Sequence, residues 1–164
     1  MKLAQIISEP VSFSSSDGPF SDAGESYGFL DLPKDASIFE HGVGTGVMGK
    51  YLSPKGYNRI EGADATAHFV KHCNESGWYE RCYEMFLGLP RGPDNAPTIP
   101  DHLQNRFDCV MGTGVYYEGH IPKEGFLDAY DMLKIGGHFC FGIRKYYWVD
   151  GEKFGYKDAM ESLI

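Results

Sequence analysis

The strongest constraint on this chain is a set of glycines at alternate positions, Gly42, Gly44 and Gly46, placed directly after the short apolar stretch Ser37-Ile38-Phe39-Glu40. Glycine at every second position is poor material for continuing a strand. It frees the backbone for tight turns and for close approach to a ligand. Val47, Met48, Tyr51 and Leu52 follow with the spacing of one apolar helical face. A strand that runs into a glycine loop and then a helix is the opening unit of an α/β domain.

The rest of the chain repeats that alternation. Arg59–Asp64 reads as a second strand, and Thr66 is placed to cap a helix whose inner face is Phe69, Val70 and Cys73. Tyr79–Gly88 reads as a third strand. Residues 89–106 hold four of the nine prolines and read as a long loop. Phe107–Gly112, apolar but for Asp108, reads as a fourth strand. Pro122 suits the first turn of a helix carrying Phe126, Ala129, Tyr130 and Leu133, which Gly136-Gly137 should end. His138–Ile143 reads as a fifth strand, and a short helix is expected near residues 157–164. Strands alternating with helices predict a mostly parallel sheet covered on both faces. Ligands of such sheets sit beyond the strand C-termini, near the switch in strand order, which makes the loop after Glu40 the place to look. Residues 1–36, with stretches such as Ser14-Ser15-Ser16-Asp17-Gly18-Pro19, read as a loosely ordered leader, and residues 37–164 as the core.

Composition narrows the classes of function. A hydrophobic share of 42% with 15% aromatics belongs to a packed domain, not a disordered chain. A formal charge of −8 argues against nucleic acid as a partner, because phosphate binding needs a basic face. Cys73, Cys82, Cys109 and Cys140 have no C-x-x-C spacing and read as buried free thiols, which points to a reducing, cytoplasmic setting. No stretch approaches the length of a membrane span, and the apolar run at the N-terminus is too short for a signal peptide. His68 and His72, four apart with Cys73 adjacent, have metal-ligand spacing, but no further ligand accompanies them and no metal is expected.

Two registers of the glycine loop compete. Residues 44–49 match G-x-G-x-x-G, and Asp64 lies 20 residues after Gly44, the distance of a ribose-binding acid in a dinucleotide site. The other register begins earlier, as Glu40-x-Gly42-x-Gly44-x-Gly46. It places Glu40 at a strand tip facing the ligand. A carboxylate repels a pyrophosphate but attracts the ammonium and sulfonium of S-adenosylmethionine, by roughly 1–4 kcal/mol at a few ångströms. Electrostatics favour the second register, and Asp64 serves a ribose in either.

With Gly62-Ala63-Asp64 at the second strand tip and Leu133-Lys134-Ile135-Gly136-Gly137 before the fifth strand, the chain resembles the class I S-adenosylmethionine-dependent methyltransferases. Within them it is similar to the small methyltransferase-like proteins linked to the Williams–Beuren region, through Tyr79–Gly88, Phe107–Gly112, Gly119-His120-Ile121-Pro122 and Tyr156-Lys157-Asp158-Ala159. The resemblance implies a Rossmann-like fold with S-adenosylmethionine as cofactor. Glu40, Gly42 and Gly44 would line its methionine end, with Val43 and Thr45 beside them. Asp64, next to Ala65, would hold the ribose. Leu87 and Gly88 would lie near the adenine, and Gly112 and Thr113 near the reactive centre. It also implies that the last two strands of the family fold are lacking here. His138–Ile143 would then be an open sheet edge inviting self-association.

Tyr116, Tyr117, Glu118 and His120 follow the fourth strand, where a methyl acceptor is expected, and could position a nucleophile or take its proton. Arg144, at the head of Arg144-Lys145-Tyr146-Tyr147-Trp148, is a further candidate for acceptor contact. The expected activity is methyl transfer to a small-molecule or protein acceptor. A non-catalytic module that binds cofactor or a partner, and an NAD(P)-dependent oxidoreductase, are the alternatives.

Overall fold

The computed structural model describes residues 5–6, 32–149 and 151–163. Its strands are β1 (Gln5–Ile6), β2 (Ile38–His41), β3 (Ile60–Asp64), β4 (Arg81–Glu84), β5 (Phe107–Thr113) and β6 (Leu133–Gly142). Its helices are α1 (Val47–Leu52), α2 (Ala67–Glu75), α3 (Gly125–Met132), α4 (Lys145–Val149), α5 (Gly151–Phe154) and α6 (Tyr156–Glu161). The strands form one six-stranded sheet in the order β1-β6-β5-β2-β3-β4, and every pairing is parallel. The chain leaves β2 toward β3 on one side and returns to β5 on the other. The switch point therefore lies at the carboxyl ends of β2 and β5.

Alternation along β2 sorts the core into two layers. Ile38 packs with Ile60, Cys109, Met111 and Cys140 beneath Met48 and Leu52 of α1 and Val70 and Cys73 of α2. Phe39 faces the other way, with Val110, Phe139 and Phe141 against Phe126, Ala129 and Met132 of α3 and Tyr156 and Met160 of α6. All four cysteines are free and buried. Among the described residues no helix is long and apolar enough to cross a membrane.

Four expectations need correction. The third strand ends at Glu84, because Met85, Phe86 and Leu87 turn toward the mouth of the sheet. Gly136-Gly137 does not end the helix before the last strand. That helix stops at Met132, Leu133 already pairs with Phe107, and residues 134–137 bulge out before His138 pairs with Cys109. Thr66 occupies the cap position of α2, yet its hydroxyl makes no cap; Asp64 Oδ1 accepts the Thr66 N–H instead, at 2.9 Å. The outer edge of β6 is not fully open either, since Gln5 and Ile6, within the stretch read as leader, pair with His138 and Phe139.

The long loop of residues 89–106 is pinned as well. Ile99 and Leu103 enter the core, and Arg91 pairs with Asp131 of α3. At the base of the sheet, burial alone would raise the Asp108 carboxyl. The Lys134 ammonium at 2.7 Å and the Ser37 hydroxyl and N–H at 2.7 and 2.8 Å outweigh that and hold it at about 2.

Candidate cofactor site

The glycine loop is built by its contacts with β3. Gly42 N–H and Val43 N–H both donate to the Ala63 carbonyl, at 2.8 and 3.0 Å. Gly62 leaves the room that Val43 fills, since a Cβ there would stand 2.3 Å from the Val43 side chain. Gly44 N–H donates to Asp64 Oδ2 at 2.9 Å. Asp64 thus fixes the loop with one oxygen and the start of α2 with the other. Gly42, Gly44 and Gly46 have φ of 70°, 49° and 79°, a conformation that L side chains adopt at a cost. A Cβ at Gly44 would meet nothing within 4 Å, so its backbone borders open space.

That space is a cleft of about 510 Å³ over the carboxyl ends of β2, β3 and β5. Of the residues expected from sequence, Glu40, Gly42, Val43, Gly44 and Thr45 line it, as do Asp64 and Ala65, Leu87 and Thr113, and His120. Gly88 and Gly112 do not. Gly88 is buried, with its N–H donating to Asp128 Oδ2 at 2.6 Å, and Gly112 lies against the Tyr116 ring. Tyr116 is itself buried in the core, bonded to His41 Nδ1 at 2.9 Å, which corrects its assignment to the acceptor. Tyr117 borders the cleft only through His120, and Arg144 is exposed outside it. Sequence reading missed Met85, Phe86, Val115 and Ile121, all of which line the cleft. Their signal was the apolar run on either side of residues already chosen.

The acid of the loop sits within β2, not beyond its end. Glu40 is buried, and its Oε2 accepts the Tyr79 hydroxyl at 2.6 Å. Burial pushes its carboxyl up to about 8; the Tyr79 bond works against this, and the nearby Asp64 adds to it. Tyr79 was not foreseen, because nothing in the sequence places it beside Glu40. His41, fully buried on the opposite face, is driven down to about 3 by its burial, and its Nε2 has no hydrogen-bond partner among the described residues. Among the described residues, the titratable ones lining the cleft are Glu40, Asp64 and His120, with no lysine or arginine. Near neutral pH Glu40 is therefore held largely uncharged, and a cationic ligand beside it would favour its ionised form. Among the described residues no group of three or more His, Cys, Asp or Glu is arranged to hold a metal.

No family model matches the chain, and no curated protein matches its sequence. In three dimensions it is similar to the S-adenosylmethionine-dependent methyltransferase of Mesorhizobium loti, with a TM-score of 0.53 and 19% identity over 74% of this chain and 52% of that one. It is similar to the TehB-like methyltransferase of Corynebacterium glutamicum, with a TM-score of 0.57 and 16% identity over 80% and 66% of the two chains. A chain from the complex of the Haloferax volcanii Trm112 methyltransferase activator with a methyltransferase gives a TM-score of 0.56 and 14% identity, over 84% and 66%. The protein spans about half to two thirds of the length of these structures. Its α/β architecture, an all-parallel sheet switching at β2 and β5 beneath a glycine loop, is the Rossmann-like fold of the S-adenosylmethionine-dependent methyltransferases.

Proposed function

We propose that this protein binds S-adenosylmethionine in the cleft over β2, β3 and β5 and transfers its methyl group to a small acceptor. The observation that carries this reading is Glu40, a buried acid facing a cleft whose described lining holds no lysine or arginine, beside backbone left open at Gly44. The sulfonium supplies an activated methyl group, so the protein's task is chiefly alignment. Glu40, with Tyr79 behind it, would ionise as the positive methionine end arrives and pair with it. Asp64, already fixed by Gly44 and Thr66, would accept from ribose hydroxyls, and Leu87 and Phe86 would border the adenine. A dinucleotide would bring its pyrophosphate toward Asp64, with no cationic side chain among the described lining residues to offset the repulsion.

The likeness to the Williams–Beuren methyltransferase-like proteins belongs to this proposal, as does a cytoplasmic setting, which suits the four buried thiols. Calorimetric titration with S-adenosylmethionine, S-adenosylhomocysteine and NADH on one sample tests the reading. Saturable binding of both adenosyl ligands is expected. Binding of NADH alone would overturn it.

A further inference from the structure

We propose that His120, oriented by Tyr117, takes the proton of a neutral, phenolic small-molecule acceptor seated at the Gly114–Ile121 end of the cleft. This rests on the methyltransferase reading and goes further, to the acceptor's chemistry and the residue that deprotonates it.

Position comes first. The turn carrying His120 packs onto the glycine loop beside Glu40. A Cβ at Gly42 would meet Val115 Cγ1 at 2.5 Å and Ile121 Cδ1 at 3.9 Å. The turn is held in shape by Ile121 N–H donating to the Val115 carbonyl at 3.0 Å and His120 N–H to the Tyr117 carbonyl at 3.0 Å. Tyr116, buried and bonded to His41, anchors it from below. His120 thus lines the cleft from a fixed turn next to the end where a positive methionine moiety would lie.

Orientation comes next. His120 Nε2 lies 2.5 Å from the Tyr117 hydroxyl, and the two rings stack with centroids 3.9 Å apart. With Nε2–H donating to the Tyr117 oxygen, Nδ1 keeps its lone pair for an incoming proton. The Tyr117 oxygen then steadies the imidazolium that forms.

The cleft's chemistry selects the acceptor. A carboxylate or phosphate would meet Asp64 and, among the described lining residues, no lysine or arginine. Val115, Ile121 and Met85 give this end apolar walls. The His120 ring, stacked on Tyr117 behind it, adds a flat surface to the cleft. An imidazole is matched to the proton of an acidic hydroxyl, whereas an aliphatic alcohol holds its proton too tightly. In the step, the acceptor O–H proton moves to His120 Nδ1 as the oxygen attacks the methyl carbon. The O–CH3 bond forms while the methyl–sulfur bond breaks, and its electron pair stays on sulfur, turning the sulfonium into a thioether.

The test uses 4-nitrophenol, whose phenolate is yellow, on protein saturated with S-adenosylhomocysteine. Saturable binding is expected, with ionisation of the bound probe moved down by about one pH unit because His120 holds the proton. His120→Gln should abolish that shift, and Tyr117→Phe should reduce it. Thermal melts check that each variant is folded. With S-adenosylmethionine and phenol itself as acceptor, whose hydroxyl stays protonated at neutral pH, His120→Gln should lower kcat about 100-fold and change KM little. Three results would overturn the inference: no saturable probe binding by protein that binds S-adenosylhomocysteine, an undiminished shift in His120→Gln, or tighter binding of 4-nitrobenzoate than of 4-nitrophenol. Failure to bind S-adenosylhomocysteine would instead strike the methyltransferase reading itself, and this inference with it.

Discussion

The Tyr79 hydroxyl donates to Glu40 Oε2 at 2.6 Å and accepts the Gly49 N–H at 3.0 Å, so one buried phenol ties the acid of β2 to helix α1. The arrangement requires glycine at position 49, where a Cβ would stand 2.4 Å from the Tyr79 ring. The strand, the acid and the helix that follows the glycine loop are thereby held as one unit.

Tyr79→Phe keeps the ring and removes both bonds. It leaves a buried N–H and a buried carboxyl each short of a partner, at a cost of about 1–3 kcal/mol. A lower melting temperature is expected, with S-adenosylhomocysteine binding about tenfold weaker by calorimetry. Weaker binding without any loss of stability would show that the bond forms only with ligand present.

Stability should depend on pH in a way that separates Glu40 from His41. The Glu40 carboxyl is raised from 4.5 to about 8 in the folded protein, so its contribution is complete below 4.5 and is lost as pH rises through about 8. The His41 imidazole is lowered from 6.5 to about 3, so its contribution is present above 6.5 and is lost as pH falls through about 3. The two oppose one another between 4.5 and 6.5, while between 6.5 and 8 the Glu40 effect is free of that opposition. Urea denaturation of the ligand-free protein should show stability falling across that upper window, and Glu40→Gln should flatten the fall. An unchanged slope in the variant would assign it to another group.

Asp64 has a structural duty besides its proposed one. Asp64→Asn keeps an oxygen for one backbone donor but loses the charge, and S-adenosylhomocysteine binding should weaken about tenfold. Asp64→Ala removes both loop bonds and should also lower the melting temperature. Equal affinities in wild type and Asp64→Asn would mean that the ribose is held elsewhere.

Two glycine substitutions separate crowding from cofactor access. Gly44→Ala meets no neighbour and bears only the strain of a positive φ, about 1 kcal/mol, so it should fold and yet bind cofactor poorly. Gly49→Ala drives a methyl into the Tyr79 ring and should chiefly destabilise. Circular dichroism melts beside calorimetry distinguish the two. A Gly44→Ala protein with full affinity would place the ligand away from this loop.

Much of the fold was legible because apolar runs such as Phe107–Met111, buried on both faces of a parallel sheet, stand out between polar and glycine-rich segments. The glycine loop with Asp64 marked the position of the cleft for the same local reason. What escaped depends on tertiary contact. Gln5–Ile6 is too short to show any periodicity. Tyr79 reaches Glu40 only once β4 lies beside β3, and Tyr116 looked like an acceptor residue until the sheet closed over its ring. Leu133 reads as the last turn of a helix by spacing, but its pairing with Phe107 outweighs that weak local preference.

The place of β1 in the sheet also sets an order in time. Its partners His138 and Phe139 lie about 130 residues further along, so Gln5 and Ile6 close the largest loop in the sheet for only two paired residues. At ribosomal speeds the stretch between them takes on the order of ten seconds to emerge. Among the six strands described, the earliest in the chain therefore waits for the latest before it can be seated. Until it is, the backbone edge of β6 at His138 and Phe139 stands open to neighbouring nascent chains on the polysome.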